Sequence, residues 1–293
     1  MPQGGRVLMK RLFASSALTF AMLAGSANAA TITLTLVDSF ARTSAFGLAF
    51  DGSKIWWSDN GGSVHEMTTG GVDTGNVITG TQWSALAWDG TTNRIAEVNN
   101  NGIDEYNRAT TGSQTGASLF AAHTHIAGDP NFLVDGLDIH GSTLYWSPDV
   151  SFVNTSPLDG SGTTQTFLLK GSGGFSGVQF VSVASSNYVF VVNDASSTRQ
   201  LCYHDAVTAA QIGCTVLANS RYEDLAFDGR YLYAADYYGN RIDKIDVLSD
   251  GASVFVPPAG GVPEPATWTM MLVGFGGLGA VLRRRRHGMA SVA

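Results

Sequence analysis

The heptapeptide FGLAFDG beginning at Phe46 returns as SALAWDG at Ser84, DGLDIHG at Asp135 and EDLAFDG at Glu223, with a degenerate SGVQFVS at Ser176. Taking Leu48, Leu86, Leu137, Val178 and Leu225 as equivalent positions, successive copies stand 38, 51, 41 and 47 residues apart, a mean of about 44. A period in that range marks four-stranded propeller blades. A second apolar run follows each turn: IWWSD from Ile55, RIAEVNN from Arg94, LYWSPD from Leu144, YVFVVND from Tyr188 and LYAAD from Leu232. A third (SVHEMT, GIDEYN, SFVNTS, RQLCYH, NRIDKID) and a fourth (NVIT, ASLF, TFLLK, CTVL, SVFV) complete the units. Aromatic and β-branched runs bounded by Asp, Gly and Asn read as strands in hairpins, and no stretch of about a dozen residues has helical spacing.

The expectation is an all-β chain, a β-propeller of about five four-stranded blades, with six as the alternative if residues 31–46 join other divergent pieces. A single sheet cannot bury both faces, so the blades should stack through residues such as Trp56, Trp88, Trp146, Phe190 and Tyr233 and close into a ring. Ile32, Leu34 and Leu36 alternate with Thr31, Thr33 and Thr35. This predicts an extra strand that pairs beside Ser253–Val256 and locks the ring.

Both ends lie outside that domain. Arg6, Lys10 and Arg11 precede an apolar run from Leu12 to Ala24 and the small-residue string GSANAA. This is the order of a secretory signal peptide, with cleavage expected between Ala29 and Ala30; an uncut anchor helix is the alternative. From Thr267 to Leu282 the chain has no charge, 16 residues that as a helix would span about 24 Å, and Arg283, Arg284, Arg285 and Arg286 follow as a cytoplasmic stop. The organisation expected is a signal peptide at 1–29, a propeller at 30–260, a sorting and anchor segment at 261–287 and a cytoplasmic tail at 288–293.

The string VPEP, then Trp268, MMLVGFGGLG and four arginines resembles the PEP-CTERM sorting tail, in the variant whose tripeptide precedes a tryptophan and MML, with Thr269 where that variant usually has Ala. The resemblance implies export, a stage held in the inner membrane, and cutting near Pro263, Glu264 and Pro265 by an exosortase, in bacteria that make exopolysaccharide and biofilm. The segment LYWSPDVSFVNTSPLDGSG from Leu144 to Gly162 resembles YWTD and NHL-type propellers. Those relatives usually have six blades, and the likeness implies an extracytoplasmic recognition platform rather than a particular catalysis.

Charge narrows the partners. All 24 Asp and Glu lie between Ala30 and Ala266, whereas three of the 17 basic residues leave with the signal and four with the arginines of the tail, so the exported part carries 10 and a net charge near −14. That excess disfavours nucleic acid and leaves divalent cations and neutral or cationic polymers or proteins.

No EF-hand, HExxH, GxSxG or P-loop string occurs. Asp59, Asp149, Asp194 and Asp236 end the second run of their copies, with Asn99 at the corresponding place, and a turn-capping role is expected. Asp135, Asp138, Glu223 and Asp224 open the innermost strands; converging with Asn99 or Asn193 they could hold Ca2+ or another divalent metal, as in a lactonase- or esterase-like hydrolase. His123 and His125 lie in the one long insertion and lack an evident third ligand. Cys202 and Cys214, 12 apart, flank a predicted hairpin and are expected to form a disulfide outside the cell. Tyr237 and Tyr238 could stack on sugars or pack.

Overall fold

The computed structural model describes residues 32–256 apart from 83, 100–101, 122–133, 149–150, 160–162, 170–173 and 194–198. Within them the chain is all β, in five sheets arranged as the blades of a propeller. Blade 1 runs outward from the axis through β2 (Leu48–Phe50), β3 (Lys54–Ser58), β4 (Ser63–Thr68) and β5 (Asp73–Thr79). Blade 2 follows with β6 (Leu86–Asp89), β7 (Arg94–Asn99), β8 (Gly102–Tyr106) and β10 (Ala117–Ala121). Blade 3 holds β11 (Gly136–His140), β12 (Thr143–Ser147), β13 (Phe152–Pro157) and β14 (Gln165–Leu169). Blade 4 holds β15 (Phe175–Val183), β16 (Ser186–Asn193), β17 (Gln200–Asp205) and β18 (Gln211–Val216). A two-residue strand, β9 (Gly112–Ser113), leaves blade 2 to pair in parallel with β5, covering the outer edge of blade 1.

Blade 5 is assembled from both ends of the domain. Its inner strands are β19 (Tyr222–Phe227), β20 (Leu232–Asp236) and β21 (Arg241–Ser249), and its fourth is β1 (Ile32–Ala41), antiparallel to β21 from Ile32↔Ser249 to Ala41↔Arg241. The expected lock therefore exists with a different partner. SVFV does not make a fourth strand; only β22 (Ala252–Ser253) pairs, with Leu248 and Ser249, and the place beside β21 belongs to β1. Residues 31–46 thus complete the fifth blade instead of contributing to a sixth.

The local chemistry repeats with the sequence. Asp51 Oδ1 accepts the N–H groups of Ser53 and Lys54 at 2.8 Å each, while Gly52 takes a φ of +89° that a side chain would disfavour. Its Oδ2 accepts the Trp56 indole N–H at 2.9 Å, pinning the aromatic of β3 to the turn. Asp228 does the same for blade 5, accepting from Arg230 and Tyr231 N–H and from the Tyr233 hydroxyl.

Each junction between neighbouring blades holds its own apolar cluster. Trp56, Val64 and Ile78 of blade 1 meet Leu86, Ile95 and Tyr106 of blade 2. Ile103 of blade 2 meets Leu137 and Trp146; Tyr145 of blade 3 meets Val178 and Val191; Phe190 of blade 4 meets Leu225 and Leu232. Tyr233 and Ile242 of blade 5 close the circle against Leu48, Ile55 and Trp57, with Phe40 of β1 in the same cluster. Cys202 and Cys214 face each other across β17 and β18 and are bonded, with Cα atoms 4.0 Å apart.

The signal segment, residues 257–293, His123, His125, Asp149 and Asp194 lie outside the described residues. Among the described residues no helix is long and apolar enough to cross a membrane.

Phe40 anchors the closing strand, its ring set against Gly71, whose φ of +77° and missing Cβ leave the ring its space. Phe40→Ala should lower stability by about 3 kcal/mol, the usual cost of deleting a buried aromatic ring. A fall in the urea midpoint reads this, and an unchanged midpoint would show that the seam does not depend on this contact.

Candidate functional site

The residue before each repeat leucine faces the backbone of the next blade. It is Gly47, Ala85, Gly136 and Gly177 in blades 1 to 4, and a Cβ added at Gly47 or Gly136 would collide with the carbonyl oxygen of Ser84 or Ser176. In blade 5 the same position is Asp224, fully buried. Its Oδ2 accepts N–H groups from Leu48 of blade 1 at 2.9 Å and Leu86 of blade 2 at 3.2 Å, and its Oδ1 accepts that of Leu225 at 2.9 Å. One carboxyl thus plugs the axis and ties three blades together. Burial raises its pKa well above the usual carboxylate range, against the pull of these donors, and nearby Asp138 raises it further.

Asp138, one residue after Leu137 on β11, points to the next blade: Oδ2 accepts the Phe180 N–H at 2.7 Å and the Gln179 side-chain amide at 2.9 Å. Burial pushes it up to about 7, with the Phe180, Ile139 and Gln179 donors opposing. Beyond it lies a narrow channel mouth of about 140 Å³ bordered by Gln179, His140, Trp88 and Phe227. The His140 ring stacks on Phe180 with centroids 3.7 Å apart, and burial lowers its pKa.

Asp135 directly precedes β11, and Glu223 directly precedes Asp224 on β19. Asp135 is three residues, about 10 Å, from Asp138 along the chain and points to the other face of the sheet. Glu223 has Arg221 Nε 3.5 Å away. Of the four acids proposed from the sequence as a metal set, Asp138 and Asp224 already accept backbone N–H bonds from neighbouring blades. Among the described residues no group of three or more His, Cys, Asp and Glu is placed to hold a metal ion. Asn193 is buried on β16, and the Asn99 side chain lies outside the described residues.

Two of the strand-ending acids can be followed, and both cap turns. Asp59 Oδ1 accepts the Gly61 and Ser63 N–H groups at 2.8 and 3.1 Å, and its Oδ2 is 2.8 Å from His65 Nε2. Asp236 accepts the Gly239 N–H at 2.9 Å and pairs with Arg241 at 2.6 Å. Tyr237 packs edge-on against Phe46, whereas Tyr238 is 59% exposed under the Arg221 guanidinium, 4.3 Å from its ring.

A further concavity among the described residues was not visible in the sequence, because turns on two blades compose it. Between the β6–β7 and β11–β12 turns lies a cleft of about 560 Å³ bordered by Asp89, Thr91, Thr92, Ser142, Leu158 and Asp159. A second hollow of about 270 Å³, bordered by Thr143, Thr155, Thr163 and Gln165, adjoins it through shared Ser142 and Pro157. Asp89 accepts the N–H groups of Thr91 and Thr92 at 2.7 and 3.4 Å, and the Thr92 hydroxyl donates to Glu105 Oε1 at 2.7 Å. Burial, and then its hydrogen bond to Asp89, push the Glu105 carboxyl up to about 6. The described lining offers hydroxyls, an amide and carboxylates with no cation, a surface suited to neutral or cationic polar ligands.

The fold and this site define a five-bladed β-propeller with an acidic, hydroxyl-lined cleft. Residues 261–286 match the PEP-CTERM protein-sorting motif, which marks an exported protein processed by an exosortase after a membrane-anchored stage. Among solved structures, Myxococcus xanthus glutaminyl cyclase is similar at 11% identity with a TM-score of 0.54, covering 76% of this chain and 99% of that one; the likeness is one of fold. A chain of the nidogen/laminin complex is similar at 18% identity with a TM-score of 0.45, covering 73% of this chain and 80% of that one. No curated protein matches the chain.

The raised pKa of Asp138 fixes the sign of a pH effect. The folded state keeps a proton on Asp138 up to about pH 7, whereas an unfolded aspartate releases it near 3.8. Its contribution to stability is therefore fully present below about pH 4 and lost as pH rises towards 7. Asp138→Asn keeps an oxygen for the Phe180 N–H and should flatten that decline, raising Tm at pH 8 relative to the native chain and changing it little at pH 4. Parallel Tm profiles for the two proteins would refute this assignment.

Proposed function

We propose that the protein is a non-enzymatic binding or structural module of the cell surface or extracellular matrix, working among exopolysaccharide or biofilm components. On this reading the signal peptide is cut between Ala29 and Ala30, residues 30–260 form the exported domain, and the segment 261–287 anchors it in the inner membrane. The exosortase then cuts near Pro263, Glu264 and Pro265, and Arg283 to Arg286 hold the residual tail on the cytoplasmic side. The partner is a hydroxyl-rich polymer, neutral or amino-bearing.

One observation carries this reading: Asp224 ties three blades at the axis, while among the described residues a cleft lies between blades 2 and 3 whose lining donates and accepts hydrogen bonds without a basic residue. Ser142 is exposed and borders both hollows. The purified exported protein should co-sediment with exopolysaccharide from its own strain, and Ser142→Trp, which fills the junction, should weaken that binding at least ~10-fold, a loss of about 1.4 kcal/mol. Equal binding by the variant would remove the cleft from the reading. Chelator-sensitive hydrolysis of lactones or esters by the native protein would favour the hydrolase alternative.

Processing is read separately. The intact mass of the exported protein should correspond to a start at Ala30 and loss of the apolar segment from Thr267 to Leu282. Replacing Pro263, Glu264 and Pro265 by Ala should leave the chain in the membrane fraction, and its normal release would argue against cutting at this tripeptide.

A further inference from the structure

Away from the axis and the cleft, the junction of blades 1 and 2 holds two buried polar atoms without a hydrogen-bond partner, Glu97 Oε1 and Thr81 Oγ1. Glu97, on β7, is 0% exposed and Thr81 6%. The second oxygen of Glu97, Oε2, accepts the Gln82 N–H at 2.8 Å. Thr81 directly precedes Gln82, whose N–H reaches that carboxyl, and the Thr81 N–H is tied to the Gly62 carbonyl of blade 1 at 3.3 Å.

Directly opposite Glu97 in the ladder stands Asp104 of β8. Paired residues of antiparallel strands point to the same face with Cβ atoms about 5 Å apart, so two carboxyl side chains share one side of the sheet. Burial holds the Glu97 carboxyl well above its ordinary pKa against the opposing hydrogen bonds of the Gln82 N–H and the Tyr106 side chain, and the Asp104 charge adds to the rise. A buried carboxyl oxygen left unpaired is costly, and a second carboxylate beside it makes ionisation costlier still. An oxygen-seeking cation between them answers both costs, because it supplies the missing partner and neutralises the pair.

We propose that Glu97, Asp104 and the Thr81 hydroxyl bind a Ca2+ ion between blades 1 and 2, with water completing its shell. Two carboxylates balance the charge of one divalent ion, and hard cations of this kind take oxygen ligands alone. The site fastens the two blades at two oxygens that otherwise lack a hydrogen-bond partner, and it is distinct from the acids at the axis.

The test uses the exported protein, stripped with chelator and titrated with Ca2+ alone. It should retain one calcium per chain by elemental analysis, and its Tm should rise by several degrees at about 10⁻³ M Ca2+, the range of extracellular calcium modules. Glu97→Gln should abolish that rise while being at least as stable as the native protein without calcium, since it removes a buried acid and keeps the shape. Asp104→Asn, half-buried and tolerant, should weaken calcium binding at least ~10-fold. A native chain that neither retains calcium nor gains stability from it, or a Glu97→Gln variant that responds as the native does, would overturn the proposal.

Discussion

A four-stranded sheet with two apolar faces is stable in water only when both faces are covered, and here each face is covered by the next blade around a ring. The five interblade clusters are therefore interdependent, because none is complete unless the last blade meets the first. That last contact rests on β1. By pairing with β21 it completes blade 5 and carries Phe40 into the cluster shared with blade 1. The fold is held by one long-range strand pair more than by any single core residue.

The ring in turn dictates the chemistry of its axis. Five strands converging on one line leave room for backbone and little else, hence Gly47, Ala85, Gly136 and Gly177 at the point of closest approach. Asp224 is the exception that the geometry requires, because the N–H groups of Leu48 and Leu86 end there without a strand partner and its carboxyl accepts both. Asp138 and Asp224 near the centre thus satisfy backbone donors, and a cleft made by turns of blades 2 and 3 lies away from them.

Blade number and the inner strands were legible because the repeat leaves the same mark each time, a leucine or valine before a turn, and burial follows it without exception at Leu48, Leu86, Leu137, Val178 and Leu225. The outermost strand of blade 5 was not. SVFV and ITLTL have equal strand propensity, and only pairing over two hundred residues decides between them. The four acids suggested as a metal set do not gather among the described residues, where the Asp138 and Asp224 carboxyls are already turned to backbone N–H groups of neighbouring blades. Asp224 was visible as the one acid in a column of small residues. Glu97 was not, since its burial comes from the junction with another blade. The cleft escaped notice because no single repeat contains it.

The order in which the chain emerges gives the seam a temporal meaning. Ser39 Oγ donates to Asp243 Oδ1 at 2.7 Å across 204 positions, so the first strand of the domain must wait for nearly the last. Such distant pairings are slow to form. A polypeptide threaded across a membrane from its N-terminus would carry β1 outside as an unpartnered edge while four blades assemble behind it. Its partner β21 ends at Ser249, about a dozen residues before the sorting motif begins at 261. Completion of the ring and arrival of the anchor therefore fall at nearly the same moment, and a chain halted early leaves the cell with an open edge.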